Sequence, residues 1–203
     1  MTLKLRYSPA SPFVRKVLVF AHETGLAARI ELLPTDVWAP DSSIFRDNPL
    51  GKVPALESDD GTFIGSTLCC DYLDTLHGSR RLIPVEPGDR WPVLQLHALA
   101  DGIMEAAVAR VVEELRRPKA LVFQGNLDRQ AEKIGHALDA IERKAATLGE
   151  RVTLATVTLG CALGYLDFRL PLLAWRTGRP ALAVWDSVFA ARPAMKATKP
   201  FVA

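Results

Sequence analysis

Asn48-Pro49-Leu50-Gly51-Lys52-Val53-Pro54-Ala55-Leu56 is the stretch that decides how this 203-residue chain reads. Pro54 stands directly before an apolar run of strand character and follows a turn built from Pro49 and Gly51. Proline interrupts a sheet ladder but is accepted at a strand's first residue. Tight turns are also the usual place for a cis X-Pro bond, so Val53-Pro54 is expected to be cis. The N–H and C=O of Val53 then point outward, unpaired, where an extended peptide can add through main-chain hydrogen bonds.

Elements alternate quickly on either side of this turn. Leu3-Lys4-Leu5-Arg6-Tyr7 has the period of two of a half-buried strand. Ser11-Pro12 opens a helix, with Ser11 as N-cap and proline at the first helical position. Val14, Val17, Leu18 and Ala21 form its inward face, and Gly25 closes it. Ile30 to Leu33 reads as a second strand. Pro54–Glu57 and Thr62–Ile64 flank the hairpin turn at Asp59-Asp60-Gly61. Ser66 is expected to cap the next helix, through Leu68, Tyr72 and Leu73. Beyond about Arg90 the strands disappear. Met104, Val108, Val111 and Leu115 recur at helical spacing, as do Ile134, Leu138, Ile141, Ala145 and Leu148. Thr153 to Leu166 is apolar nearly all round, as suits a helix buried at a bundle centre. Ala181 to Phe189 is a shorter helix. The expected organisation is an α/β domain over residues 1–79, a linker over 80–88 carrying Pro84 and Pro87, and an all-helical domain over 89–203.

Composition excludes several classes. A net charge of +2 is too small to point to nucleic acid or an anionic membrane. The N-terminus alternates and carries charge early, unlike a signal peptide, and the longest uncharged run, Leu154 to Leu166, is too short for a bilayer. Three cysteines, two of them adjacent, make no disulfide framework, so a reducing, cytoplasmic setting is expected. The four histidines show no metal-ligand spacing, and no metal is expected. His97, Cys69, Cys70 and Cys161 read as core residues, and Arg15 and Lys16 as solvated surface charges.

Three segments together resemble the cytosolic glutathione S-transferases: Tyr7 to Val17, Asn48 to Leu56, and Leu154 to Asp167. The resemblance covers essentially the whole chain and implies an α/β thioredoxin-like domain followed by an all-α helical bundle. It implies an enzyme that uses glutathione as co-substrate, acts on a small hydrophobic electrophile in detoxification, and forms a homodimer. In such proteins a Ser, Cys or Tyr near the first strand–helix junction meets the glutathione sulfur. Ser11 is the candidate here, since a helix N-terminus and a donated hydrogen bond both lower a thiol pKa from about 8.5. Ser8, one short turn away, competes for that role. As a cap alone, Ser11 is worth about 1 kcal/mol. The resemblance also implies glutathione contacts from Ser8, Phe13, Lys52, Val53, Pro54, Gly65 and Ser66, with the γ-glutamyl carboxylate at the helix start near Ser66. Phe13, Trp38 and residues near Met104 are candidate walls for the acceptor.

Two departures stand out. Relatives carry an acidic residue before the serine, to bind the γ-glutamyl amine, where this chain has Gly65. Loss of such a charge-assisted hydrogen bond costs about 1.5–3 kcal/mol, roughly 10- to 150-fold in affinity. Asp101 is the candidate replacement, reaching across a dimer interface. The second departure is Thr156, which stands where the reciprocal acid of a capping box belongs, so the cap at Thr153 is expected without its return bond and an aspartate at 156 is expected to stabilise. These departures keep open a non-catalytic scaffold for binding or regulation. A thiol reductase is disfavoured, because neither position 8 nor 11 is cysteine.

Overall fold

Leu3 and Leu5 are buried while Lys4 and Arg6 are not, which gives strand β1 (Leu3–Tyr7) one core face. In the computed structural model, which describes residues 3–202, β1 pairs in parallel with β2 (Ile30–Pro34) and antiparallel with β3 (Ala55–Ser58). β3 turns through Asp59-Asp60 into β4 (Gly61–Ile64), and the strand order is β2-β1-β3-β4. Helix α1 (Pro12–Glu23) crosses between β1 and β2, and α2 (Ser66–Asp74) follows β4. Phe20, Val17, Leu56, Cys69 and Leu73 are fully buried where these helices meet the sheet.

The turn before β3 hangs on one side chain. Buried Asn48 donates from Nδ2 to Lys52 O (2.6 Å) and accepts at Oδ1 from Leu50 N (2.9 Å), while Gly51 N returns to Asn48 O. Gly51 sits at φ +64°, which a side chain rarely adopts. The Val53-Pro54 bond is cis.

A second unit, residues 86–192, is built of helices α3 (Pro87–Arg116), α4 (Gln124–Glu142), α5 (Leu154–Arg169) and α6 (Pro180–Phe189). α3 packs against both α4 and α5. α5 is buried almost throughout, as its apolar circumference requires. His97 is a satisfied core residue, its Nδ1 lying 3.0 Å from Thr158 Oγ1. Ile134, Leu138 and Ile141 bury one face of α4, which stops at Glu142, and Ala145 stays buried in a separate 3-10 turn. Leu115 ends the apolar stripe of α3 exposed.

Several expectations are corrected. The capping box of α5 is complete: Thr153 Oγ1 accepts from Thr156 N (3.2 Å), and Thr156 Oγ1 accepts from Thr153 N (2.8 Å). A hydroxyl serves where a carboxylate was expected, and the argument for a stabilising aspartate at 156 falls away. The N-cap of α2 is Gly65, and Ser66 is the first helical residue. Arg15 and Lys16 are buried, at 8% and 0% exposure. Arg15 Nη2 donates to Met195 O (3.1 Å) and Lys16 Nζ to Thr67 Oγ1 (3.3 Å), so neither is a solvated charge.

The expected linker begins later than residue 80. Leu82, Ile83 and Pro84 are buried against the first unit, and α3 starts at Pro87. Residues 193–202, read with the helical domain, group with residues 3–85, and their short helix α7 (Pro193–Ala197) packs on α1. Main-chain acceptance of the Arg15 guanidinium, invisible to periodicity, draws that segment there. No described helix is long and apolar enough to cross a membrane.

Candidate functional site

Strand register brings three segments to one end of the sheet. Arg6 pairs with Ala55, and Ala55 with Ile64. The residues that follow or precede these pairs, Tyr7, Pro54 and Gly65, therefore lie side by side, and Gly65 N reaches Pro54 O at 3.4 Å. Ser8, Ser11, Phe13, Lys52, Val53, Pro54, Gly65 and Ser66 all belong to these segments.

Ser11 is the N-cap of α1, its Oγ accepting from Val14 N (3.3 Å) and its own N–H donating to Ser8 O (3.1 Å). A hydroxyl accepts with a lone pair and still has one proton to donate, so the cap leaves Ser11 able to serve an anion at the positive end of α1. Ser8 and Phe13 flank it, half-buried. The main-chain N–H and C=O of Val53 have no hydrogen-bond partner among the described residues. The Lys52 side chain is exposed, while its carbonyl is held by Asn48.

Gly65 adopts φ +81° and contributes no capping side chain, so the Ser66 N–H at the start of α2 is left available to an anion. Ser66 itself is buried, and its hydroxyl makes no hydrogen bond among the described residues. Burial raises the Tyr7 phenol above its ordinary pKa, so it remains protonated at neutral pH. Among the described residues no group of three or more His, Cys, Asp or Glu side chains could hold a metal ion.

Asp101 lies on α3, in the other unit from these residues. Met104 is fully buried and presents no wall to a ligand, whereas Trp38 is exposed. Two features escaped the sequence reading. Arg15 follows Ser11 by four residues on the same helix face, a spacing that could have flagged it; the tail segment 197–201, which lines a cavity beside Ser11, carries no such signal.

Models of the "Glutathione S-transferase, N-terminal domain" and the "Glutathione S-transferase, C-terminal domain" match residues 10–76 and 124–185. The chain belongs to the glutathione S-transferase family. A GST-like protein of Escherichia coli, YibF, is 33% identical over 98% of each chain. A glutathione transferase family member from Pseudomonas fluorescens, solved with bound glutathione, is 43% identical, covers 99% of this chain and 100% of its own, and superposes with a TM-score of 0.94. The same family member has been solved with S-(propanoic acid)-glutathione, at 43% identity and a TM-score of 0.90 over 98% of this chain and 100% of its own. A glutathione S-transferase of Methylobacillus flagellatus with glutathione bound is 32% identical over 98% and 100% of the two chains, with a TM-score of 0.91.

The sheet end thus offers an unpaired main-chain edge at Val53, a helix start beside an unpartnered serine, and a hydroxyl at a second helix start. At the position that precedes Ser66 there is no carboxylate.

Cysteine chemistry is remote from this arrangement. Cys69, Cys70 and Cys161 are fully buried. Burial pushes the Cys69 thiol up to about 12, outweighing the nearby main-chain hydrogen bonds and the charge of Lys16. A thiol so placed is neutral and a poor nucleophile. Dithiobis-nitrobenzoate is therefore expected to label none of the three in the native protein within minutes and all three after denaturation; native-state labelling would contradict this.

Proposed function

We propose that this protein is a glutathione transferase, joining the glutathione sulfur to a small hydrophobic electrophile, with Ser11 stabilising the thiolate. The observation that carries the reading is the Ser11 hydroxyl, held at the start of α1 by its cap bond and still able to donate. Its register neighbours supply the rest. Val53 pairs with the extended tripeptide, and Ser66 and the first turn of α2 receive the γ-glutamyl carboxylate. Ser8, Phe13, Lys52, Pro54 and Gly65 line the same tripeptide.

The thiol loses its proton to solvent, and Ser11 O–H donates to the resulting sulfur anion. That anion forms a C–S bond to the electrophilic carbon, whose displaced electron pair leaves with a departing group or is protonated by water. A homodimer acting in cytoplasmic detoxification is part of the proposal, and in it Asp101 from the second subunit offers a carboxylate to the amine that Gly65 leaves unmet.

Calorimetric titration with reduced glutathione is the test. Saturable binding that weakens on Ser66→Ala supports the site; no binding at millimolar glutathione overturns it. Ser11→Ala is expected to raise the pKa of the bound thiol by about one unit, since one pKa unit corresponds to 1.36 kcal/mol and a hydrogen bond to a charged group supplies that much. Thiolate absorbance followed against pH reads this shift, and an unchanged midpoint moves the role to Ser8. Gly65 favours one second reading, a scaffold that binds without catalysis, which predicts glutathione binding with no conjugation to any electrophile.

A further inference from the structure

The first unit contains a cavity of about 180 Å³ that starts at Ser8 and Ser11 and runs along one face of α1. Arg15 and Leu18 continue that face at helical spacing, Ile30 of β2 forms one wall, and Lys199 and Phe201 of the tail form another. Its lining mixes apolar side chains with hydroxyls and His22, and it holds Arg15 and Lys199 but no aspartate or glutamate. Lys199 makes no ion pair among the described residues. Arg15 is 8% exposed; its Nη2 is spent on Met195 O, but its Nε is buried with no hydrogen-bond partner. A buried guanidinium donor left unpaired is costly. An anion that reaches Nε from this cavity relieves that cost, and the apolar part of the lining accepts the body that carries it.

We propose that this cavity takes an acceptor bearing a carboxylate, which pairs with Arg15 Nε and Lys199 while the electrophilic carbon faces Ser11. The inference rests on the reading of Ser11 as the thiolate partner, and it changes the expected acceptor from a neutral hydrophobe to an organic anion. Four residues of helix span about 6 Å, so the reacting carbon and the carboxylate are a few bonds apart, as in a short unsaturated acid. The two cations also neutralise a carboxylate that would otherwise repel the approaching thiolate. With an α,β-unsaturated acid, the sulfur anion bonds to the β-carbon and the π pair moves to the α-carbon, which takes a proton from water. Nothing is oxidised or reduced.

The test is calorimetric binding of S-(2-carboxyethyl)glutathione and S-propylglutathione to the parent, Lys199→Gln and Arg15→Lys. The parent is expected to favour the carboxyethyl compound by tenfold or more. That preference should fall to threefold or less in Lys199→Gln, with affinity for reduced glutathione unchanged. Equal binding of the two compounds by the parent, or a preference untouched in Lys199→Gln, overturns the proposal whether or not Arg15→Lys folds. If no glutathione compound binds at all, the transferase reading fails separately. The cavity is then judged with 3-phenylpropanoate, watching the Arg15 Nε–H resonance in a nitrogen-15-labelled sample: a saturable shift sustains the anion pocket and its absence ends it.

Discussion

Replacing Asp74 with alanine is expected to lower the stability of the first unit by about 3–5 kcal/mol, the largest single-residue loss predicted for this protein. Asp74 closes α2 and is almost completely buried. Its Oδ1 accepts from Leu82 N (2.9 Å), its Oδ2 from Ile83 N (2.9 Å), and His77 Nε2 lies 3.0 Å from Oδ1. With Ser79 Oγ 2.7 Å from His77 Nδ1, the network is complete when Nε2–H donates to the carboxylate and Nδ1 accepts from the serine. Alanine removes both acceptors at once. The N–H groups of Leu82 and Ile83 remain buried, and each unsatisfied donor costs about 1–3 kcal/mol. Against a whole-domain stability of about 5–15 kcal/mol this is a large fraction. Thermal unfolding should show a midpoint lower by about 6–20 °C. Asp74→Asn, which keeps one acceptor, should fall between the two. A loss below about 1 kcal/mol would mean that segment 82–84 finds water when the carboxylate goes.

With Asp101 replaced by asparagine, Gly65→Glu is expected to strengthen glutathione binding by roughly 10- to 150-fold while destabilising the free protein. The two effects come from different atoms. A Cβ built at Gly65 meets nothing within 4 Å, so the side chain has room. The backbone at φ +81° and ψ 134° is one that glycine adopts freely, and holding another residue there costs about 1–3 kcal/mol. The gain comes from a carboxylate at the start of α2, where a charge-assisted bond to the γ-glutamyl amine becomes available. Denaturation of the free protein reads the first effect and calorimetry with glutathione the second. Unchanged affinity in that background means that the amine lies elsewhere, and an equal gain in the parent means that Asp101 does not meet it. Asp101→Asn alone completes the comparison: if it weakens the parent's binding and Gly65→Glu restores it, Asp101 supplies the carboxylate. If Asp101→Asn changes nothing, its cross-subunit role is excluded.

The backbone roles of Ser11 and Pro54 were legible because each carries its reason locally, whereas Ser8, Phe13 and Lys52 entered only through the family resemblance. Ser11 announces a cap by standing before Pro12, and Pro54 announces a strand start after a glycine turn. Gly65 and Ser66 follow a hairpin whose turn is explicit in Asp59-Asp60-Gly61. Thr156 is the opposite case. A sequence shows that the carboxylate of a capping box is missing, but only the folded geometry shows a threonine hydroxyl 2.8 Å from the Thr153 N–H.

Periodicity, caps and turn residues were enough to specify the four strands and the principal helices, because those signals act over a few residues; the family rested on the resemblance of three whole segments, Tyr7 to Val17, Asn48 to Leu56 and Leu154 to Asp167. The burial of Arg15 and Lys16, the docking of residues 82–84 on Asp74, and the return of segment 193–202 to α1 were settled only in the tertiary structure. In each case a charged group near one part of the chain meets main-chain or hydroxyl partners from a distant part. Charge marks such a residue as solvated until the fold supplies its partners, and no local pattern of residues says where those partners will come from.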